Sequence, residues 1–270
     1  MAHSEMSQNK LQLEKKDIKA KILRWMNISM LVSIFFASFF FLNVNPLDIL
    51  AAPVPMITFL VENFFPPNLS NFSTYLSAIM QTLFFAVAGT YISAILSFIL
   101  GILMSERLNP NLLVRSIVRY FVSFLRNIPV LIWASLLVFV FGIGNMVGLI
   151  ALVLATVGFL ARSYAESMDD IAEERLEAIR ASGANYMQIL VHGLIPEFAS
   201  AWLNWTLFSF EINIRASAIL GIVGAGGIGM AIQTNLARRN FTEASTLIIV
   251  LVIMVILTEL TVGRLRKKLT

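Results

Sequence analysis

The stretch Tyr75–Met104, YLSAIMQTLFFAVAGTYISAILSFILGILM, decides the fold. It sits in a longer interval, from Glu62 to Glu106, within which no residue is charged. About 20 apolar residues are enough for a helix to cross the hydrocarbon core of a bilayer, so this run has length to spare. A second charge-free interval, Asn127–Ala161, is too long for one crossing and short for two. Its only break is Gly142-Ile143-Gly144-Asn145, which predicts a tight turn between spans near 120–141 and 146–162. Further apolar runs predict spans at 26–44, 198–220 and 244–262. The composition agrees: 58% of residues are hydrophobic, 13% are charged and the mean hydropathy is +0.80. Soluble domains carry about 25% charged residues, and a chain with half of that cannot cover a soluble surface. The expected fold class is an all-α membrane protein of six transmembrane helices.

The charges that remain are clustered. Six spans place both termini on one side, and sixteen of the twenty Lys and Arg then share that side. Six lie in the head, including Lys10, Lys15, Lys16 and Arg24; Arg107, Arg115 and Arg119 follow the second span; the tail holds Arg264, Arg266, Lys267 and Lys268. Only Arg238 and Arg239 fall on the opposite side, while Arg126 and Arg215 fall inside spans. Basic loops stay in the cytoplasm, so both termini are expected there. The chain reads as a basic cytoplasmic segment 1–25, a first span 26–44, a proline-containing periplasmic linker 45–74, a membrane domain 75–263 with a charged loop at 163–197, and a cytoplasmic tail 264–270. The first apolar block has no small-residue cleavage site after it and reads as a retained span rather than a signal peptide.

Several chemistries are excluded. Cysteine is absent and the two histidines, His3 and His192, have no metal-binding spacing, so thiol catalysis and a zinc site have no ligands. The basic residues are not interleaved with aromatics as in single-strand binders, and no nucleic-acid partner is expected. Outside Arg126, Glu211 and Arg215 the spans hold almost no ionisable groups from which an intramembrane enzyme could be built.

The 163–197 loop carries seven acids, Glu177 and Glu197 among them, with apolar residues at Met168, Ile171, Ala172, Ala178 and Ile179 in helical steps. Gly183 is a natural helix stop, a second short helix can run from Asn185 to about Val191, and Pro196 closes the segment. Such a helical hairpin is either a solvated connector or a knob that docks in a partner's groove. In the fifth span, Glu211 and Arg215 stand four residues apart on one helical face and can pair. They are read either as a neutralised structural pair or, with Asn213, as neighbours of an anion's path, because charges at membrane depth mark candidate sites. Gly221, Gly224, Gly226, Gly227 and Gly229 follow. They contain the letters of a dinucleotide fingerprint, but they come after a membrane helix rather than a strand, and no Gly-Lys-Ser/Thr occurs. The glycines are read as non-helical backbone or close helix packing near the outer face.

Glu177-Ala178-Ile179 with Gly183 and Pro196 at their spacing resembles the EAA signature of permease subunits of bacterial ABC importers. Ile179 replaces the usual second alanine and Gly193 a usual aliphatic residue. The run Phe210–Arg215, the glycines after it, and Arg126-Asn127-Ile128-Pro129-Val130-Leu131-Ile132-Trp133 are similar to the phosphonate-import branch of that family. The resemblance covers about residues 75–263 and implies a type I importer (MetI-like) permease fold. It implies a homodimer in the bacterial inner membrane, two ATPase subunits that bind ATP and magnesium, and a periplasmic or lipid-anchored substrate-binding protein. Glu177, Ala178, Gly183 and Pro196 would then couple to the ATPase; Arg126, Glu211, Asn213 and Arg215 would border the pathway; the glycines would form a gate or loop. No cofactor is expected on this chain and no catalytic residue. The substrate expected is a phosphonate, phosphite or phosphate ester; a permease for methionine or another amino acid, or a membrane adaptor without a pathway, are the alternatives.

Overall fold

A computed structural model describes residues 2–171, 179, 181 and 183–267, with side chains from residue 19 onward. Among the described residues all regular structure is helical. The chain divides into two units, residues 1–62 and 63–270.

The first unit holds α1 (Ala2–Phe41), α2 (Pro46–Ala51) and most of α3 (Pro53–Phe64). The basic head is thus helical and continuous with the first span, which extends from Lys19 to Phe41. Within the linker expected at 45–74, Pro46–Phe64 is helical, and by length and composition it is long and apolar enough to cross a membrane. Its prolines do not break it because Pro46, Pro53 and Pro55 occupy first turns, where an amide hydrogen has no intrahelical acceptor to lose. Asn45 caps α2 by accepting the Leu47 amide at 3.1 Å.

The second unit is organised on α4 (Phe72–Met104) and α7 (Asn145–Asp169). They run parallel: Gly89 faces Leu152, Gly101 faces Tyr164 and Ser105 faces Asp169. The α4 contact face is a stripe of Thr82, Ala86, Gly89, Thr90, Ser93, Ala94, Ser97 and Gly101, all buried. With no hydrophobic drive between helices in lipid, small residues let dispersion act at close range. A methyl on Gly89 would come within 2.6 Å of Leu152 Cδ2. Helix α7 continues to Asp169, past the expected loop boundary at 163, and Arg162 pairs with Glu166 one turn on at 2.7 Å.

The span expected at 120–141 is broken. Helix α5 (Leu112–Asn127) and α6 (Val130–Phe141) meet at 89°. Pro129 removes an amide donor and forces Ile128 into an extended conformation (φ −96°, ψ 116°), which no helix tolerates. Trp133 Nε1 donates to the Leu125 carbonyl across the bend at 3.4 Å. Among the described residues six helical segments are long and apolar enough to cross a membrane, Pro46–Phe64 among them, or up to seven with the bent α5–α6 pair. Because α4 and α7 run parallel, the chain between them returns through α5–α6.

The second half of the loop holds a short α8 (Tyr186–Gln188) and a π-helical turn at Ile189–Leu194, which run into α9 (Ile195–Ile222). The second loop helix, expected through Val191, is thus only one turn before it widens. Pro196 does not terminate it; it stands in the first turn of α9. The glycine-rich segment, read as non-helical backbone or close helix packing, leads into α10 (Gly227–Ala237), and α11 (Phe241–Arg266) completes the unit.

Candidate functional site

Three clusters of chemistry follow along the bundle, from the end rich in basic residues to the end rich in glycines. At the basic end, Asp169 closes α7 and accepts three hydrogen bonds at Oδ1: from Ser105 Oγ (2.6 Å), Glu106 N (2.9 Å) and Arg107 N (3.3 Å). Arg119 of α5 lies 3.8 Å from its other oxygen, pairs with Glu106 at 2.9 Å and donates to the Met104 carbonyl at 3.1 Å. This corner borders a cavity of about 410 Å³ lined by Ser116, Arg119, Tyr120, Arg162, Glu166 and Asp169. Of the residues expected to couple to a partner, Gly183 and Pro196 are described, while Glu177 and Ala178 lie outside the described residues. Gly183 has φ +83°, left-handed backbone that favours glycine, and a methyl there would meet nothing within 4 Å. Asn185 then caps α8 reciprocally, accepting from Gln188 N at 2.9 Å and donating its own amide to Gln188 Oε1 at 2.8 Å.

In the middle, α4, α7 and α9 are tied by side-chain hydrogen bonds. Asn213 is 2% exposed; it accepts from Thr156 Oγ1 and donates to Thr90 Oγ1, both at 2.9 Å. It therefore sits inside the bundle as a three-helix knot, apart from Arg215. Arg215 and Glu211 pair at 2.8 Å, with side chains 51% and 14% exposed. Ile212, Arg215, Ile219 and Ile222 form one exposed stripe on α9. Arg126, exposed at the end of α5, lies beside the bend rather than early in a straight span. Gly158 of α7 lets that bend approach: a methyl there would lie 2.6 Å from the Arg126 amide nitrogen.

At the glycine end the α9–α10 connection is a packed turn. Gly224, Gly226 and Gly227 have φ of +92°, +89° and +72°. Gly221 and Gly229 let α9 and α10 touch backbone to backbone; a methyl on Gly229 would fall 1.7 Å from the Ala218 carbonyl oxygen. Helix α10 has no side-chain cap of its own. Gln81 and Thr82 of α4 supply it, accepting from Gly227 N and Ile228 N at 2.8 Å each. Nearby, Glu243 accepts from Asn71 Nδ2 (2.6 Å) and from the Tyr75 hydroxyl.

Asp169, Thr90, Thr156, Gly158, Gln81 and Thr82 were not legible as site residues. Asp169 is one of seven acids in the charged loop and the others are isolated polar or small residues in otherwise apolar runs; neither signal says which helix each one meets.

A bundle of apolar helices with a broken span, a charged loop ahead of its penultimate long helix and small-residue contacts throughout is the architecture of a multi-span membrane protein. A structural comparison gives the same architecture: one chain of the inward-facing MetNI methionine ABC transporter superposes with a TM-score of 0.62 at 24% identity, covering 80% of this chain and 98% of that one. The chain belongs to the family described as "binding-protein-dependent transport system inner membrane component", whose sequence profile matches residues 97–269. It is 32% identical to the phosphite transport system permease protein PtxC of Stutzerimonas stutzeri, over 79% of this chain and 78% of that protein. It is 30% identical to the phosphate-import permease protein PhnE of Mycolicibacterium smegmatis, over 93% of this chain and 47% of that longer protein. The chain is thus a transport subunit rather than an enzyme, and systems of this class pair it with ATPase subunits and a substrate-binding protein.

Proposed function

We propose that this chain is the permease of an ATP-driven importer for a phosphorus oxyanion: a phosphonate, phosphite, phosphate or phosphate ester. The observation that carries the reading is its similarity, across four-fifths of its length, to a phosphite permease. A half-exposed Arg215 on the Ile212–Ile222 stripe supports it. An arginine facing lipid near a helix centre costs about 3 kcal/mol, so this stripe meets another protein surface or water rather than acyl chains. Two copies of the chain facing each other across a path would give an anion two Arg–Glu pairs to pass and no deep cationic trap. Weak attraction of this kind suits a conduit whose selectivity is set by a binding protein.

In this reading both termini and the 163–197 loop face the cytoplasm, and the glycine end faces the periplasm in the inner membrane. Glu177, Ala178, Gly183 and Pro196 couple the loop to two ATPase subunits, which hold ATP and magnesium. The turn at Gly221–Gly229 opens or closes the outer end of the path. The test is uptake into cells or proteoliposomes holding the complete transporter, with phosphite, methylphosphonate, phosphate and methionine competing for entry. Uptake driven by ATP and competed by one of the phosphorus anions is expected; competition by methionine alone overturns the substrate class.

A further inference from the structure

We infer that Asp169 is the positioning residue through which movement of the charged loop reaches the membrane-spanning body, an inference that rests on the proposed ATPase-driven transport. Asp169 is the last residue of α7, immediately before the loop segment expected to meet the ATPase. Its carboxylate does not cap its own helix. It grips the α4–α5 corner instead, taking Ser105 Oγ, Glu106 N and Arg107 N on one oxygen, with Arg119 beside the other. The corner answers from its own side: Arg107 Nη1 donates to the Ile171 carbonyl at 2.6 Å, just past Asp169.

Two kinds of contact join the loop to this corner, and they differ mechanically. Leu108 is buried with Met168, Leu194 and Phe198, so the start and the return of the loop share one apolar cluster with the corner. Such a cluster holds the pieces together but lets them slide, because dispersion and burial have no direction. Hydrogen bonds to two successive backbone amides do have direction. A displacement of the end of α7 therefore carries residues 105–107 with it.

From the corner the displacement has two routes. One is α4, whose last carbonyls are held by Arg119 on Met104 and by Asn109 on Leu103. The other is α5, which Arg119 ties to Asp169 and Glu106. Helix α5 runs on for about 12 Å from Arg119 to the bend at Asn127. There its backbone rests on Gly158 of α7. Tied to the end of α7 at its middle and resting on Gly158 of the same helix at its far end, α5 works as a lever that turns a shift at the loop into a change at the bend. The neighbouring Arg162–Glu166 pair has no such reach: it joins two residues of α7, both about half-exposed or more.

The test uses the complete transporter in proteoliposomes with its ATPase and binding proteins, comparing wild type, Asp169→Ala, Asp169→Asn, Asp169→Glu and Glu166→Gln. Assembly, basal ATP hydrolysis, hydrolysis stimulated by the loaded binding protein, and uptake are each read per assembled complex. With Asp169→Ala and Asp169→Asn, stimulation and uptake are expected to fall about tenfold or more, the scale of one hydrogen bond to a charged group, while basal hydrolysis stays. Asp169→Glu is expected to restore part of the coupling, and Glu166→Gln to match wild type. If Asp169→Ala does not assemble, Asp169→Asn decides alone. Wild-type stimulation in Asp169→Asn overturns the inference. So does a loss confined to the amount of complex, which would make Asp169 structural only. A wild-type complex without stimulated hydrolysis or uptake overturns the proposed function instead.

Discussion

Replacing Gly229 with alanine adds one methyl group at the tightest point of the glycine turn. That methyl would stand 1.7 Å from the Ala218 carbonyl oxygen and 3.1 Å from Gly221 Cα. Carbon and oxygen need about 3.3 Å between them, so α9 and α10 would have to separate by roughly 1.6 Å. No rotamer change can relieve the contact, since both sides are backbone. Parting the helices also strains the Gly227 and Ile228 amides away from Gln81 and Thr82, which hold α10 to α4. Forced overpacking costs about 3 kcal/mol at the upper end of its usual range, and this contact belongs there. The control is Gly263→Ala, in the last turn of α11, where a methyl meets nothing within 4 Å. It is expected to be neutral or to stabilise by about 0.5 kcal/mol through helix propensity. The assay is thermal unfolding of the purified protein in detergent, read from loss of the monodisperse peak, with uptake measured in parallel. Gly229→Ala should melt several degrees below wild type and Gly263→Ala at or slightly above it. Equal melting of Gly229→Ala and wild type would refute the backbone contact between α9 and α10.

Asn213→Ala removes two buried interhelical bonds, each worth about 0.6 kcal/mol on average in a membrane bundle, and should destabilise by about 1–2 kcal/mol in a reversible denaturation experiment; no change would mean the Thr90–Asn213–Thr156 knot holds nothing. Arg215→Gln should slow anion uptake well beyond its effect on assembly, whereas matched losses of both would assign the Glu211–Arg215 pair to structure alone. Gly183→Ala strains a left-handed residue by about 1 kcal/mol without a steric clash, so coupled hydrolysis should drop while membrane insertion stays; unchanged coupling would separate this glycine from the ATPase contact.

Where sequence reading failed, the reasons are specific. Prolines at 46, 53 and 55 suggested a linker, yet at first-turn positions they begin helices instead of ending them. Pro129 stands nine residues into the span expected at 120–141, where a proline breaks a helix; with Ile128, which it holds extended, it separates α5 from α6. Asn213 and Arg215 are two residues apart in one helix and were read together as neighbours of a path. On a helix two residues are separated by about 200°, which is why one is buried against α4 and α7 and the other lies on the exposed stripe.

What the sequence determines by itself is set by local chemistry and by solvent. Charge-free runs such as Tyr75–Met104 must be helical in a bilayer, since each backbone amide needs an acceptor and lipid offers none. The Glu-Ala…Gly…Pro spacing of the charged loop and the run of glycines after Arg215 are equally local, and they brought the transporter family into view before any contact was known. What only the tertiary structure decided is which residues meet across helices. Asp169 and Ser105 are joined across 64 positions, Asn213 and Thr90 across 123, Ile228 and Thr82 across 146. Each of those pairs depends on the register and rotation of two helices relative to one another. Apolar periodicity leaves both undetermined where a helix is apolar on nearly every face, as α6 is.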